Sequence, residues 1–237
     1  MSVLSFIFYY ITPYVAVVVF FGGLAYRIYR WWQKEPVGAH LSLFPRPEGA
    51  LGRLWDALVD MFTMRGLFRV NRLLWAGGFI MHVGLLFTFV GHIRAFTDFY
   101  SLWRLLDWGP EQQHTFSAVA GTIAGVLFSI PLFYLLLRRW SGAMKWLSTP
   151  EDFFVLYLLI AIGLTGFHMR LLRDIQVQEL HRFFRGLASF NWQPAPLSAG
   201  TSFTYHFTFV QLLMIYFPFG KLTHTIGSLF SKMAARS

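Results

Sequence analysis

Two histidines stand ten residues apart in MHVGLLFTFVGHI, residues 81–93, with almost only apolar side chains between them. An ionisable ring is costly at membrane depth, so each marks a candidate functional site. The chain carries eight histidines. His82, His92, His168 and His206 fall inside long apolar stretches, whereas His40, His114, His181 and His224 lie in or beside polar connections. Cysteine is absent. That excludes disulfides, thiolate-bound zinc, iron–sulfur clusters and covalently attached c-type haem, each of which needs Cys. Any metal chemistry here belongs to histidine.

Composition says what must hold these histidines. The 237 residues are 56% hydrophobic and only 13% charged, about half the charge of a soluble globular domain. The net charge of +9 sits between apolar runs rather than on one basic face, which argues for membrane topology and against nucleic acid as a partner. Five segments are long enough to span a bilayer, about 4–29, 73–97, 113–137, 152–172 and 198–220. Helix breakers separate them: KEPVG, DWGPEQQ, SGAMKWLSTPED and NWQPAPLSAG. The expected fold is an all-α integral membrane bundle of five helices forming one domain over 1–237. Fourteen Lys/Arg fall on one side of this arrangement and six on the other, which predicts an outside N-terminus and a cytoplasmic C-terminus. In the first cytoplasmic connection, residues 52–70 place Leu54, Leu58, Met61 and Phe62 on one helical face. Such a helix lies in the membrane interface or against a cytoplasmic partner.

Helix geometry then separates the histidines into sites. His82 and His92 are about 15 Å apart along the axis and about 80° apart around it. They serve two centres stacked across the membrane. His82 matches His206 in depth from the cytoplasmic side, and His92 matches His168 near the outer side, with His181 in QVQELHRFF as the alternative to His168. Imidazole pairs are axial ligands of b-type haem, and helix bundles build such sites from facing side chains. The reading is two haem b groups, an inner one on His82 and His206 and an outer one on His92 and His168. Gly78, Gly84, Gly91, Gly163 and Gly166 either let the macrocycles approach or pack helices together. Arg94, Arg170 and Arg173 lie near the outer level, where they pair with propionates or anchor helices at the headgroups.

MHVGLLFTFVGHI resembles the second helix of the respiratory nitrate reductase gamma subunit, with the same histidine spacing. YHFTFVQLLMIYFPFGKLTHT, residues 205–225, resembles that family's last helix. GLTGFHMR and the long loop before the second span look more like the relatives in sulfite-reductase-associated and heterodisulfide-reductase-like membrane complexes. The resemblance implies a two-haem cytochrome b subunit of an oxidoreductase complex, not an enzyme on its own. Such a subunit passes electrons between membrane quinol, menaquinol or ubiquinol, and a cytoplasmic iron–sulfur partner, alongside further membrane subunits. It implies that His82 and His206 hold the inner haem and His92 the outer. That family takes its fourth ligand from the start of its last helix, where Ala195 to Gly200 stand here.

A prokaryotic cytoplasmic membrane is the location these features imply. Quinol oxidation needs a proton acceptor at the outer mouth. His114, near Glu111 and Gln113, has a reference pKa suited to that task. An interfacial histidine at a helix start is the plainer reading. Two other functions compete: the cytochrome b of a hydrogenase or formate dehydrogenase, whose partner docks outside, and a haem-free transporter or scaffold, which has no chromophore.

Overall fold

The computed structural model describes residues 3–33, 49–172, 176–196 and 200–234. Arg173 and His40, and the connection 34–48, lie outside the described residues. Among the described residues every regular element is helical. Four helices are long and apolar enough to cross a membrane: α1 (Val3–Trp32), α4 (Arg72–His92, extended to Ala95 by a 3-10 turn), α6 (Pro110–Trp140) and α8 (Pro150–Leu172). The segment expected as a fifth span forms α10 (Gly200–Tyr216), an apolar helix of 17 residues. The shorter helices are α2 (Gly49–Thr63), α3 (Arg65–Val70), α5 (Tyr100–Leu105), α7 (Met144–Leu147), α9 (Val177–Ala188) and α11 (His224–Ala234). The chain is a multi-pass membrane protein.

Local chemistry sets the ends of these helices. Asn71 caps α4 by accepting the Leu74 N–H at 2.9 Å. Gly109 precedes α6 with Pro110 at its start, where a missing N–H costs nothing. Asp152 accepts the Thr149 N–H at 2.9 Å and its hydroxyl at 3.0 Å at the start of α8, and Arg139 at the end of α6 pairs with the same carboxylate at 3.3 Å. The amphipathic segment expected over 52–70 is two helices. Met64 adopts a left-handed φ of 51° between α2 and α3 and breaks the run.

The chain forms two compact units, one of Met1–Ile11 with Gly77–Val210 and one of Thr12–Ala76 with Gln211–Ser237. In the first, Phe128, Leu132 and Leu136 of α6 pack on Leu156 and Ile160 of α8, a stripe at the four-residue spacing of one helical face. Gly84 of α4 brings backbone against backbone. A Cβ there would meet Phe128 N at 2.4 Å and Leu127 C at 2.6 Å, the close approach that replaces hydrophobic drive between helices in lipid. Phe183 of α9 is fully buried. It sits edge-on to Tyr9, Phe203 and Phe207, at ring-centre distances of 6.2, 5.7 and 5.7 Å. Tyr9 belongs to a π-helical turn, Ile7–Ile11, and its hydroxyl shares a hydrogen bond with Thr204 at 2.5 Å.

In the second unit the Phe-Pro-Phe-Gly turn after α10 seats in α1. Pro218 is fully buried, and a Cβ at Gly23 would lie 2.5 Å from its Cβ. Arg27 donates to the Pro218 and Phe219 carbonyls at 2.8 and 3.1 Å, which satisfies carbonyls of a turn that no helix bonds.

Candidate functional site

The C-terminal end of α4 and the first turns of α10 meet at a pair of imidazoles. The ring centres of His92 and His206 lie 6.0 Å apart with planes 10° from parallel. Each ring is fixed from behind. His92 Nδ1 is 2.7 Å from Thr88 O. His206 Nδ1 is 3.0 Å from Ile162 O and 3.1 Å from the Thr165 hydroxyl. A carbonyl only accepts, so Nδ1 carries the proton in both rings and the lone pair stands on Nε2. This is the arrangement that orients histidines as metal ligands and raises their basicity. Gly166 lies beside the ring, where a Cβ would make ordinary contact with His206 Cε1 at 3.4 Å.

The structure thus brings His206 beside His92, whereas the sequence paired His206 with His82 and His92 with His168 or His181. Among the described residues α10 starts at Gly200, which puts His206 in its second turn. His82 shows the same tie, Nδ1 to Gly78 O at 2.7 Å, and so does His224, Nδ1 to Lys221 O at 3.0 Å. Sequence reasoning leaves His224 beyond the fifth span with no role. Its signal is the carbonyl three residues back in a helical turn. His168 differs, with Nδ1 2.6 Å from the Ser202 hydroxyl. His181 instead commits Nε2, whose N–H donates to the Arg94 carbonyl, and this bond ties α9 to the end of α4.

The 3-10 turn that follows His92 and the segment after it are tightly bonded. Arg94 pairs with Asp98 at 3.0 Å, and Asp98 also accepts from Trp103 Nε1 at 2.8 Å and Phe99 N at 2.9 Å. Burial pushes the Asp98 carboxyl up, but the bonds from Trp103 and Arg94 and the Arg94 charge outweigh it and hold it below its ordinary value. Arg94 donates to the Ser117 hydroxyl and Arg170 to the Ser117 carbonyl. Two of the three arginines expected at this level thus converge on one residue, and Arg94 already has a carboxylate. His114 lies on the first turn of α6. Beside it in sequence, Gln113 lines a cleft of about 490 Å³ with Tyr100, Trp103, Arg104, Asp107 and Trp108. Trp103 and Trp108 stack at 5.8 Å. Sequence reasoning misses this cleft, although the aromatic-rich connection that forms it is visible there.

The donor set can be tested against a bound metal group. Among the described residues no three His, Asp or Glu side chains cluster as a ligand set for a bare ion. A porphyrin-held iron asks the protein for only two ligands. Two imidazoles bound through Nε2 to one metal, with bonds of about 2 Å, have ring centres about 6 Å apart, the spacing seen here. The Thr88 hydroxyl, one turn below His92, is buried without a hydrogen-bond partner, and a Cβ at Gly91 would meet nothing within 4 Å. These features fit haem. Gly84 and Gly163 do not open onto a macrocycle; they pack against Phe128 and against the Ser129 hydroxyl.

An apolar helical membrane bundle holding two parallel imidazoles, each fixed through Nδ1, is the class of protein these features define. The chain belongs to the nitrate reductase gamma subunit family, whose model matches residues 58–233 and so spans every histidine from His82 to His224. It is similar to a protein of Archaeoglobus fulgidus named Hdr-like menaquinol oxidoreductase cytochrome b-like subunit, 29% identical over 95% of this chain and 78% of that relative. A protein of the same name from Archaeoglobus profundus is 26% identical over 94% of this chain and 76% of its own length.

Proposed function

We propose that this chain is the membrane cytochrome b subunit of a quinol-linked oxidoreductase and that His92 and His206 are the axial ligands of one haem b. The observation that carries this reading is the imidazole pair, 6.0 Å between ring centres, with both Nδ1 atoms tied back to carbonyls. Haem bound there supplies a one-electron carrier at membrane depth. The residues do the rest. Thr88 and Ile162 fix the ring tautomers, and Arg170 offers charge to a propionate at the outer level, with Arg94 shared between that role and Asp98. Arg173 remains a further candidate for the same task.

A second haem draws on His82. For its other ligand, His168 of the same unit is the candidate, its Nδ1 2.6 Å from the Ser202 hydroxyl. The cleft lined by Tyr100, Trp103 and Trp108 suits a quinol ring in size and lining, with His114 as the proton acceptor. The names of the two archaeal relatives favour menaquinol over ubiquinol and an assembly with further subunits, among them a cytoplasmic iron–sulfur protein that exchanges electrons with the inner haem. α10 acts as the fifth span; its 17 residues reach about 26 Å, within the range a bilayer core accepts. The charge asymmetry supports an N-terminus outside and a C-terminus in the cytoplasm of a prokaryotic cell.

The test is a reduced-minus-oxidised spectrum of the purified chain with a haem assay. A b-type alpha band and two haems per chain are expected. A chain purified from haem-replete cells without any b-type band overturns the reading and leaves the scaffold alternative.

A further inference from the structure

We infer that α2 lies in the plane of the membrane surface and inserts one face into anionic lipid on the side where α4 begins. Leu51, Trp55, Leu58 and Phe62 fall within about 60° of one another around the helix, at about 100° per residue. Leu51, Trp55 and Phe62 are 82, 70 and 65% exposed. It shares Leu58 and Phe62 with the face expected from sequence, and has Leu51 and Trp55 where that one had Leu54 and Met61. The opposite face is taken. Ala57 is fully buried, and Asp60 on that side is ion-paired to Lys232 of α11.

What covers the open face follows from where the helix is held. Trp75, in the first turn of α4, donates its indole N–H to the carbonyl of Thr63, the last residue of α2, at 2.8 Å. Phe68 of α3 packs edge-on against the same indole at 4.9 Å, and Arg72 lies 5.5 Å over the Phe68 ring. One end of α2 is thereby fixed at the level where a span enters the bilayer. Its packing partner α11 is held at the end of another span, because a Cβ at Gly227 would touch the Trp31 ring at 3.2 Å, one residue before α1 ends. A helix pinned at both span ends, with Leu, Trp and Phe exposed, sits at the boundary between headgroups and acyl chains.

Charge selects the lipid. Asp56 and Asp60 pair with Arg65 and Lys232, so the acids of α2 are neutralised within the unit. Arg69 and Arg72, on the turn that follows, are exposed with like charge and suit phosphate headgroups. A protein partner would need to displace lipid from a face that the span ends already hold at the surface.

The chain has no cysteine, so single Leu51→Cys, Trp55→Cys and Phe62→Cys variants of the full protein each take one spin label without background. They are reconstituted in phosphatidylcholine vesicles with and without phosphatidylglycerol. Accessibility to oxygen and to a water-soluble nickel chelate is then read by power saturation. Labels at these positions are expected to favour oxygen over nickel, more strongly when phosphatidylglycerol is present. Free access of nickel gives the face to water, and protection from both reagents gives it to protein; either overturns the inference. Three independent positions cover the case in which one variant fails to fold, and haem content plays no part in the readout.

Discussion

Gly22 and Gly23 are neighbours in one helix, yet the same substitution has opposite signs at the two positions. Alanine at Gly22 meets nothing within 4 Å and gains helix propensity, about 0.5–1 kcal/mol over glycine. Alanine at Gly23 puts its Cβ 2.5 and 2.7 Å from Pro218 Cβ and Cγ, about 1 Å inside ordinary carbon–carbon contact. The proline ring cannot turn aside. It is fully buried, and Arg27 holds the carbonyls of Pro218 and Phe219. Overpacking of this kind costs about 1–3 kcal/mol, so after the propensity gain Gly23→Ala is expected to lose about 1–2 kcal/mol. Titration from mild detergent into SDS, followed by tryptophan fluorescence and far-UV circular dichroism, gives the two midpoints. Gly22→Ala should move to higher SDS and Gly23→Ala to lower. A Gly23→Ala protein as stable as Gly22→Ala would refute the seating of the Phe-Pro-Phe-Gly turn.

Other outcomes follow from the same geometry. Gly84→Ala places a methyl 2.4 Å from the Phe128 backbone nitrogen, so it should lower the SDS midpoint and also weaken haem retention, because α4 carries His82 and His92. Asp98→Asn removes the charge that pairs with Arg94 and should cost on the order of 1–2 kcal/mol, measured as the same midpoint. Because the folded Asp98 carboxyl is held below its ordinary value of 3.8, its contribution is complete above that pH and is lost as pH falls through the lower folded value. Stability from this site should therefore be flat between about pH 5 and 8 and fall only in acid. For the second haem, His82→Ala should lose one haem. His168→Ala is expected to lose that same component in a redox titration, and full retention of both components would take the role from His168.

The helical membrane class is legible in the sequence because long apolar runs and their breakers report directly on a bilayer's thickness. The histidines stand out as candidates too, since ionisable rings at membrane depth are rare and costly unless they bind or relay something. Their pairing depends on contacts across the fold: the His206 ring lies beside that of His92, a neighbour that counting depth along each run does not single out. The role of His181 is hidden for a similar reason: its bond reaches the Arg94 carbonyl at the end of α4, a contact far away in sequence. For α2, amphipathic periodicity shows that the helix has two faces without showing which residues a neighbour such as α11 covers. Met64, in a left-handed conformation rare for its type, gives no signal before the break it makes.

Everything proposed for the haem site turns on whether His92 and His206 share one haem. Redox titration of the single and double alanine variants decides it, because residues acting as a unit are not additive. His92→Ala and His206→Ala should each abolish the same b-type component, the double variant should lose no more than either single, and His82→Ala with His206→Ala should abolish both components. Loss of one common component in His82→Ala and His206→Ala, with His92→Ala removing the other, would contradict the pairing and leave depth matching in its place.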